Sequence, residues 1–181
     1  HNLPLSEGYL IPADSVTLPS ENTPEAYSNT YISMREVAKQ IQDNTSARHI
    51  VLCIDCCFSG FAIEPRGSEQ QPAQNYSSLM SNPSRIVITA GTEDQHSYEL
   101  SGHGLFTTAL LQAFNSRVSD KKPACATELY TDLRNNALAL AQQNNCPFNP
   151  QMRSLLVRSP VGEIVFLPDT AAAWKSELAA I

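Results

Sequence analysis

Ile50-Val-Leu-Cys-Ile-Asp-Cys-Cys-Phe-Ser-Gly60 is an apolar run that ends abruptly in an acid, two thiols and a small-residue turn. Bounded by His49 before it and Ser59-Gly60 after it, the run predicts a strand buried on both faces of a parallel sheet. In open α/β sheets ligands gather beyond the carboxyl ends of the strands, so Asp55, Cys56 and Cys57 stand where a site is expected. A thiol in that position is a candidate nucleophile.

Working outward, Ser33-Met-Arg-Glu36 has the pattern of a capping box, and Met34, Val37, Ala38 and Ile41 recur at the spacing of one helical face. They predict a helix over about 33–43 that leads into the central strand. Upstream, Gly8-Tyr-Leu-Ile-Pro12 predicts a short strand inside loop sequence rich in Pro, Ser and Asn. Downstream, Phe61–Ser84 holds Pro, Gly, Ser, Gln and Asn without a sustained period and is long for a loop in a compact domain, so a functional, mobile or cut segment is expected. Arg85-Ile-Val-Ile-Thr-Ala90 predicts a second buried strand that also ends in small and acidic residues, Gly91-Thr-Glu-Asp94. Helices are expected around Phe106–Ala113 and over about 127–143, the latter ended by Pro147 and Pro150. Gly162-Glu-Ile-Val-Phe-Leu167 predicts a last strand, and 171–181 a short terminal helix. Helices alternating with buried strands indicate an α/β domain with a mostly parallel sheet.

The 181 residues and 42% hydrophobic content suit one domain, taken as 1–167 with a tail over 168–181. A formal charge of −6 with scattered Lys and Arg argues against nucleic-acid and anionic-membrane partners. The five cysteines, at 53, 56, 57, 125 and 146, are odd in number and irregularly spaced, which fits a reducing cytoplasm better than a disulfide framework. No apolar run approaches the roughly 18 residues of a membrane span.

Asp55-Cys-Cys-Phe-Ser-Gly60 resembles the nucleophile motif Asp-x-Cys-x-Ser-Gly of the caspase-like cysteine peptidases, above all metacaspases and bacterial caspase-like proteins, and aligns Cys57 with the nucleophile. Gly8-Tyr-Leu-Ile-Pro12 is similar to the segment after that family's catalytic His. Thr89-Ala-Gly-Thr-Glu-Asp-Gln95 with Gly104-Leu-Phe-Thr107 is similar to its later strand and helix. The resemblance covers most of residues 1–167. It implies a three-layer α/β sandwich and peptide hydrolysis through a Cys-His dyad. Caspases proper carry Gln-Ala-Cys before a Gly, from which this chain departs at Asp55 and Phe58.

A thiol attacks a peptide as thiolate, with a base beside it and donors for the oxyanion. Of His1, His49, His96 and His103, His1 lies 56 residues before Cys57, near the family's spacing of about 50, although Asn2 replaces the Gly that follows the family's His. His49 begins the central strand at the end away from the site. Ser101-Gly-His-Gly104 imitates the family's Gly-His-Gly but follows the nucleophile, so His103 is expected to be structural. By the same alignment, the backbone N–H groups of Asn2 and Cys57 are the oxyanion donors.

Asp55 replaces the Gln of a caspase pocket that accepts Asp at P1, the residue before the cut bond. The resemblance brings Asp94 towards the same pocket, with Glu93 and Glu99 competing for its role. Two acids there imply cleavage after Arg or Lys. The expected partners are a protein or peptide with basic P1 and an N-terminal part of the same domain, because family members begin with strands and helices that precede the catalytic His. The competing class is a non-catalytic interaction or scaffold domain that keeps the fold, favoured by Asn2. Within the 61–84 loop, Arg66 is a candidate self-processing point.

Other chemistries find no support in the chain. Cys53 and Cys56 form a C-x-x-C, but three residues along a strand put the thiols on opposite faces, unlike a redox turn at a helix start; position 63 is Ile63 where a Cys-based phosphatase needs Arg, and no phosphate loop is present. Cys and His offer no pair of pairs for a metal. No cofactor is expected, and calcium activation stays open because no residue pattern signals it.

Overall fold

The computed structural model describes residues 9–12, 31–56, 76–91, 98–100, 102–121, 123–155 and 162–167. In chain order the elements are β1 (Tyr9–Leu10), β2 (Ile32–Ser33), α1 (Met34–Asn44), β3 (His49–Ile54), α2 (Tyr76–Met80), β4 (Ser84–Thr89) and β5 (Glu99–Leu100). They continue with β6 (His103–Gly104), α3 (Leu105–Asp120), β7 (Ala124–Cys125), α4 (Ala126–Asn144), β8 (Gln151–Ser154) and β9 (Val165–Phe166).

The expected first helix forms because Ser33 caps it: the Ser33 hydroxyl accepts the Glu36 N–H at 3.2 Å, and helical backbone begins at Met34. Its far end is closed by the sheet. The Arg85 guanidinium donates to the carbonyls of Ile41, Gln42, Thr45 and Ala47 at 2.6–3.1 Å, meeting acceptors that a helix C-terminus leaves open. The helix α4 starts with a reciprocal cap in which the Glu128 carboxylate takes the Cys125 N–H at 2.9 Å. It ends at Asn145, which adopts left-handed φ of 49°, so the turn comes before Pro147.

The central sheet has the order β3-β4-β8. Strands β3 and β4 are parallel and in full register, from His49 opposite Ser84 to Ile54 opposite Thr89. Strand β8 pairs antiparallel with the other edge of β4, from Ile86 opposite Ser154 to Thr89 opposite Gln151. Among the described residues the sheet is therefore mixed, with one parallel and one antiparallel pairing. The last strand expected over 162–167 shortens to Val165–Phe166, which pairs with Ala124–Cys125 apart from this sheet. Gln151–Ser154 fills the third place instead; its polar sequence hid it, because its four residues are only half-buried.

Side chains alternate across the sheet and divide the core in two. On one face Ile86 and Ile88 of β4 pack with Leu105, Phe106, Ala109 and Ala113 of α3 and Leu129, Leu133 and Ala137 of α4. On the other face Val87 and Ile54 pack with Met34, Leu155 and the apolar stripe of α1. This is an α/β/α arrangement of three layers. Small residues at Ala109, Ala113 and Ala137 let α3 and α4 approach closely, and Asn136 donates to the Ala109 carbonyl across the gap at 3.3 Å.

One expectation about β3 fails. Strand β4 is buried almost throughout, with Val87 at 0% and Ile88 at 1% exposure, whereas β3 is mostly half-buried and Cys53 reaches the surface. The reason is position. Strand β4 has a paired neighbour on each side, while among the described residues β3 is paired only with β4. The terminal helix expected over 171–181 lies outside the described residues.

Candidate active site at the carboxyl end of the central strand

Strand β3 stops at Ile54, and the chain bends at Cys56. The Asp55 side chain is exposed and reaches the first turn of α3. Its Oδ2 accepts the Thr107 hydroxyl at 2.5 Å and the Thr107 N–H at 3.3 Å. The helix has Gly104 at its N-cap with no side-chain cap of its own, so the carboxylate of a neighbouring strand meets donors that the first turn leaves open. The negative charge also suits the positive end of the helix dipole.

The approach is close enough to require glycine. A Cβ placed on Gly104 would overlap Oδ2 and come within 2.8 Å of the Asp55 Cγ and 3.0 Å of Oδ1. Gly104 is held there by the β5–β6 hairpin, which turns through Gly102 at φ 82° and hands its ladder to the helix through the Leu105 N–H bonded to the Tyr98 carbonyl at 2.8 Å. Glu99 stands directly opposite Gly104 in this hairpin. Residues opposite each other in an antiparallel pair project to the same face, so Glu99 projects towards the side on which Asp55 lies.

Cys56 is half-buried and packs against the Met34, Ile54, Val87 and Leu155 cluster on the α1 side of the sheet. Asp55 faces the α3 side. The two residues thus keep the strand's alternation past its last hydrogen-bonded residue. Among the other thiols, burial pushes the pKa of Cys125 up, and partial desolvation does the same for Cys53 although that residue reaches the surface, so both favour the thiol over the thiolate. Cys125 is moreover engaged in the cap of α4.

His49 lies at the opposite end of β3, roughly 20 Å from Asp55 at the usual rise per strand residue. Its Nε2–H donates to the Asn82 carbonyl at 3.0 Å, an anchor for the loop before β4. His103 is exposed on β6, where its backbone pairs with Leu100. Cys57, His1, Asn2, Asp94, Glu93 and His96 lie outside the described residues, as does Arg66. Of the predicted site, then, the structure describes Asp55 and its surroundings.

Sequence reasoning passed over Thr107 and Gly104 as site residues. Their signal was present only as part of the segment Gly104-Leu-Phe-Thr107, which carries no chemistry until the fold brings it against Asp55. Among the described residues no group of three or more His, Cys, Asp and Glu is placed to hold a metal ion, and no helix is long and apolar enough to cross a membrane.

Comparison with known families matches residues 4–159 to the family described as the caspase domain, a peptidase family. No curated protein matches the chain in direct comparison.

Proposed function

The chain belongs to the caspase-domain peptidases, and on that premise we propose that it is a cysteine endopeptidase of metacaspase-like specificity, with Cys57 as nucleophile and His1 as its base. The family fixes the coarse chemistry, a cysteine peptidase acting on protein or peptide substrates. In the proposed reaction the Cys57 thiolate attacks the scissile carbonyl carbon, and the N–H groups of Asn2 and Cys57 hold the oxyanion that forms. Protonated His1 then gives its proton to the leaving amine. Water, deprotonated by the same imidazole, hydrolyses the thioester and restores the thiol.

Cys57 is favoured over its neighbour because Cys56 packs into the α1-side core while Asp55 faces the other way. The resemblance in sequence aligns Cys57, not Cys56, with the family's nucleophile.

The observation that carries the specificity is the Asp55 carboxylate itself. It is exposed at the carboxyl end of a central strand, and both hydrogen bonds it receives among the described residues go to one oxygen. A P1 guanidinium or ammonium is the complementary ligand, with bidentate geometry favouring Arg. For the second acid, Asp94 follows from the resemblance, and Glu99 gains a specific argument from its place opposite Gly104. Charge-neutral variants of each, Asp94→Asn and Glu99→Gln, identify which one contributes: the contributor loses basic-P1 cleavage and the other does not.

The test is cleavage of matched fluorogenic peptides ending in Arg, Lys or Asp. Turnover of the Arg and Lys peptides that disappears in Cys57→Ala is expected. Cleavage after Asp refutes the acidic pocket, and inert protein with an iodoacetamide-unreactive Cys57 favours a scaffold domain.

A further inference from the structure

We propose that Thr107 is a positioning residue for specificity: its hydroxyl holds the Asp55 carboxylate in the orientation that reads a basic P1 side chain. The inference rests on the pocket assignment above and extends it to a residue on a different element.

Three observations converge on Thr107. Its hydroxyl donates to Asp55 Oδ2 at 2.5 Å, and its backbone N–H reaches the same atom at 3.3 Å. The missing side chain at Gly104 opens the space in which the carboxylate lies, so Asp55 is confined between a helix turn and a hairpin. Thr107 is also the third residue of α3, so the helix backbone fixes its place and brings its N–H and hydroxyl to Asp55 from the same side.

The consequence is an asymmetric carboxylate. With both donors on Oδ2, the two acceptor positions of Oδ1 are, among the described residues, left to face a ligand. An exposed Asp is otherwise free to rotate about χ1 and χ2, and a cationic partner that pairs with Oδ1 gains when the plane of the carboxylate is set before it arrives. A hydrogen bond to a charged group is among the stronger ones, so its loss is expected to be visible in substrate selection.

The test separates positioning from general support of the fold. Two fluorogenic peptides are compared, one with Arg at P1 and one with citrulline, its neutral isostere, in the parent, Thr107→Val, Thr107→Ser and Asp55→Asn. In Thr107→Val the ratio of kcat/KM for Arg over citrulline is expected to fall about tenfold or more, with the larger part in KM. Thr107→Ser, which keeps the hydroxyl, should restore the ratio to within about threefold of the parent. A merely structural role lowers both peptides together and leaves the ratio unchanged.

If Thr107→Val does not fold, Thr107→Ala is read in the same way, with the rate of iodoacetamide alkylation reporting an intact site. An unchanged ratio in a folded Thr107 variant, alongside a collapsed ratio in Asp55→Asn, overturns the inference and leaves the pocket standing. A parent that does not prefer Arg over citrulline overturns both.

Discussion

Arg85 at the amino end of the sheet and Asp55 at its carboxyl end each carry a charge from a strand to the end of a helix. Arg85 uses all five of its N–H donors: Nε on Ala47, one terminal nitrogen on Ile41 and Gln42, and the other on Thr45 and Ala47. Asp55 has room for about four donors, and two of those places, both on Oδ2, are taken by Thr107. A charge with every hydrogen-bonding place filled can only support the fold. One that is fixed on one side and, among the described residues, open on the other keeps its capacity for a ligand. On the proposed function, the two ends of the same strand pair divide between stability and recognition.

That contrast is broken most directly at the carboxyl end. Cys57→Ala should remove peptidase activity by at least about a thousandfold while the urea midpoint stays at the parent's value. Labelling of the parent by iodoacetamide should map to Cys57 and spare Cys56; the reverse pattern overturns the nucleophile assignment.

Asp55→Asn comes next, with cleavage after Arg expected to fall about a hundredfold, as when one member of a buried charge pair is neutralised. Its effect on stability should be below about 1 kcal/mol, since the side chain is exposed and an amide oxygen can still accept from Thr107. A large loss of stability with P1 preference intact would make Asp55 a cap and nothing more.

At the amino end the signs should invert. Arg85→Met keeps the apolar stem but leaves the α1 carbonyls without their donor, and should cost about 2–3 kcal/mol in urea unfolding. Catalysis in the folded fraction should stay within about threefold of the parent. An unchanged urea midpoint would mean that the saturated contacts contribute nothing measurable.

The smallest expected effect lies outside both ends and serves as a control. Burial raises the pKa values of Cys125 and Tyr130, and burial with the nearby Glu128 carboxylate raises that of Tyr76. The folded state therefore holds these protons more tightly than the unfolded chain does. Their stabilising contribution is complete below about pH 8.5, the lowest of the unfolded values, and is lost as pH rises through the folded values. Unfolding midpoints that decline gradually above about pH 9, equally in the parent and in Asp55→Asn, are the expected result.

Much of the architecture could be read locally. The helix behind Ser33 and the strands at 50–54 and 85–89 each follow from a few neighbouring residues, because capping and apolar periodicity act over three or four positions. Gln151–Ser154 could not be found in this way: a half-buried edge strand carries little apolar signal, and its place depends on β4 having a free edge. The same limit hid Arg85, which reads as an ordinary charged residue at the start of a strand.

The chain by itself determined the family, the order of its parts, and the identity of Asp55 as the acid two places before the candidate nucleophile. Those are properties of residues close in sequence. Only the tertiary structure decided that Gly104 and Thr107, some fifty residues later, meet that acid, that Cys56 turns into the α1-side core, and that β3 is half-exposed where its apolar run predicted burial on both faces. Each of these depends on how helices and strands distant in sequence stack across the sheet, and side-chain contacts of that range leave no periodicity in the chain.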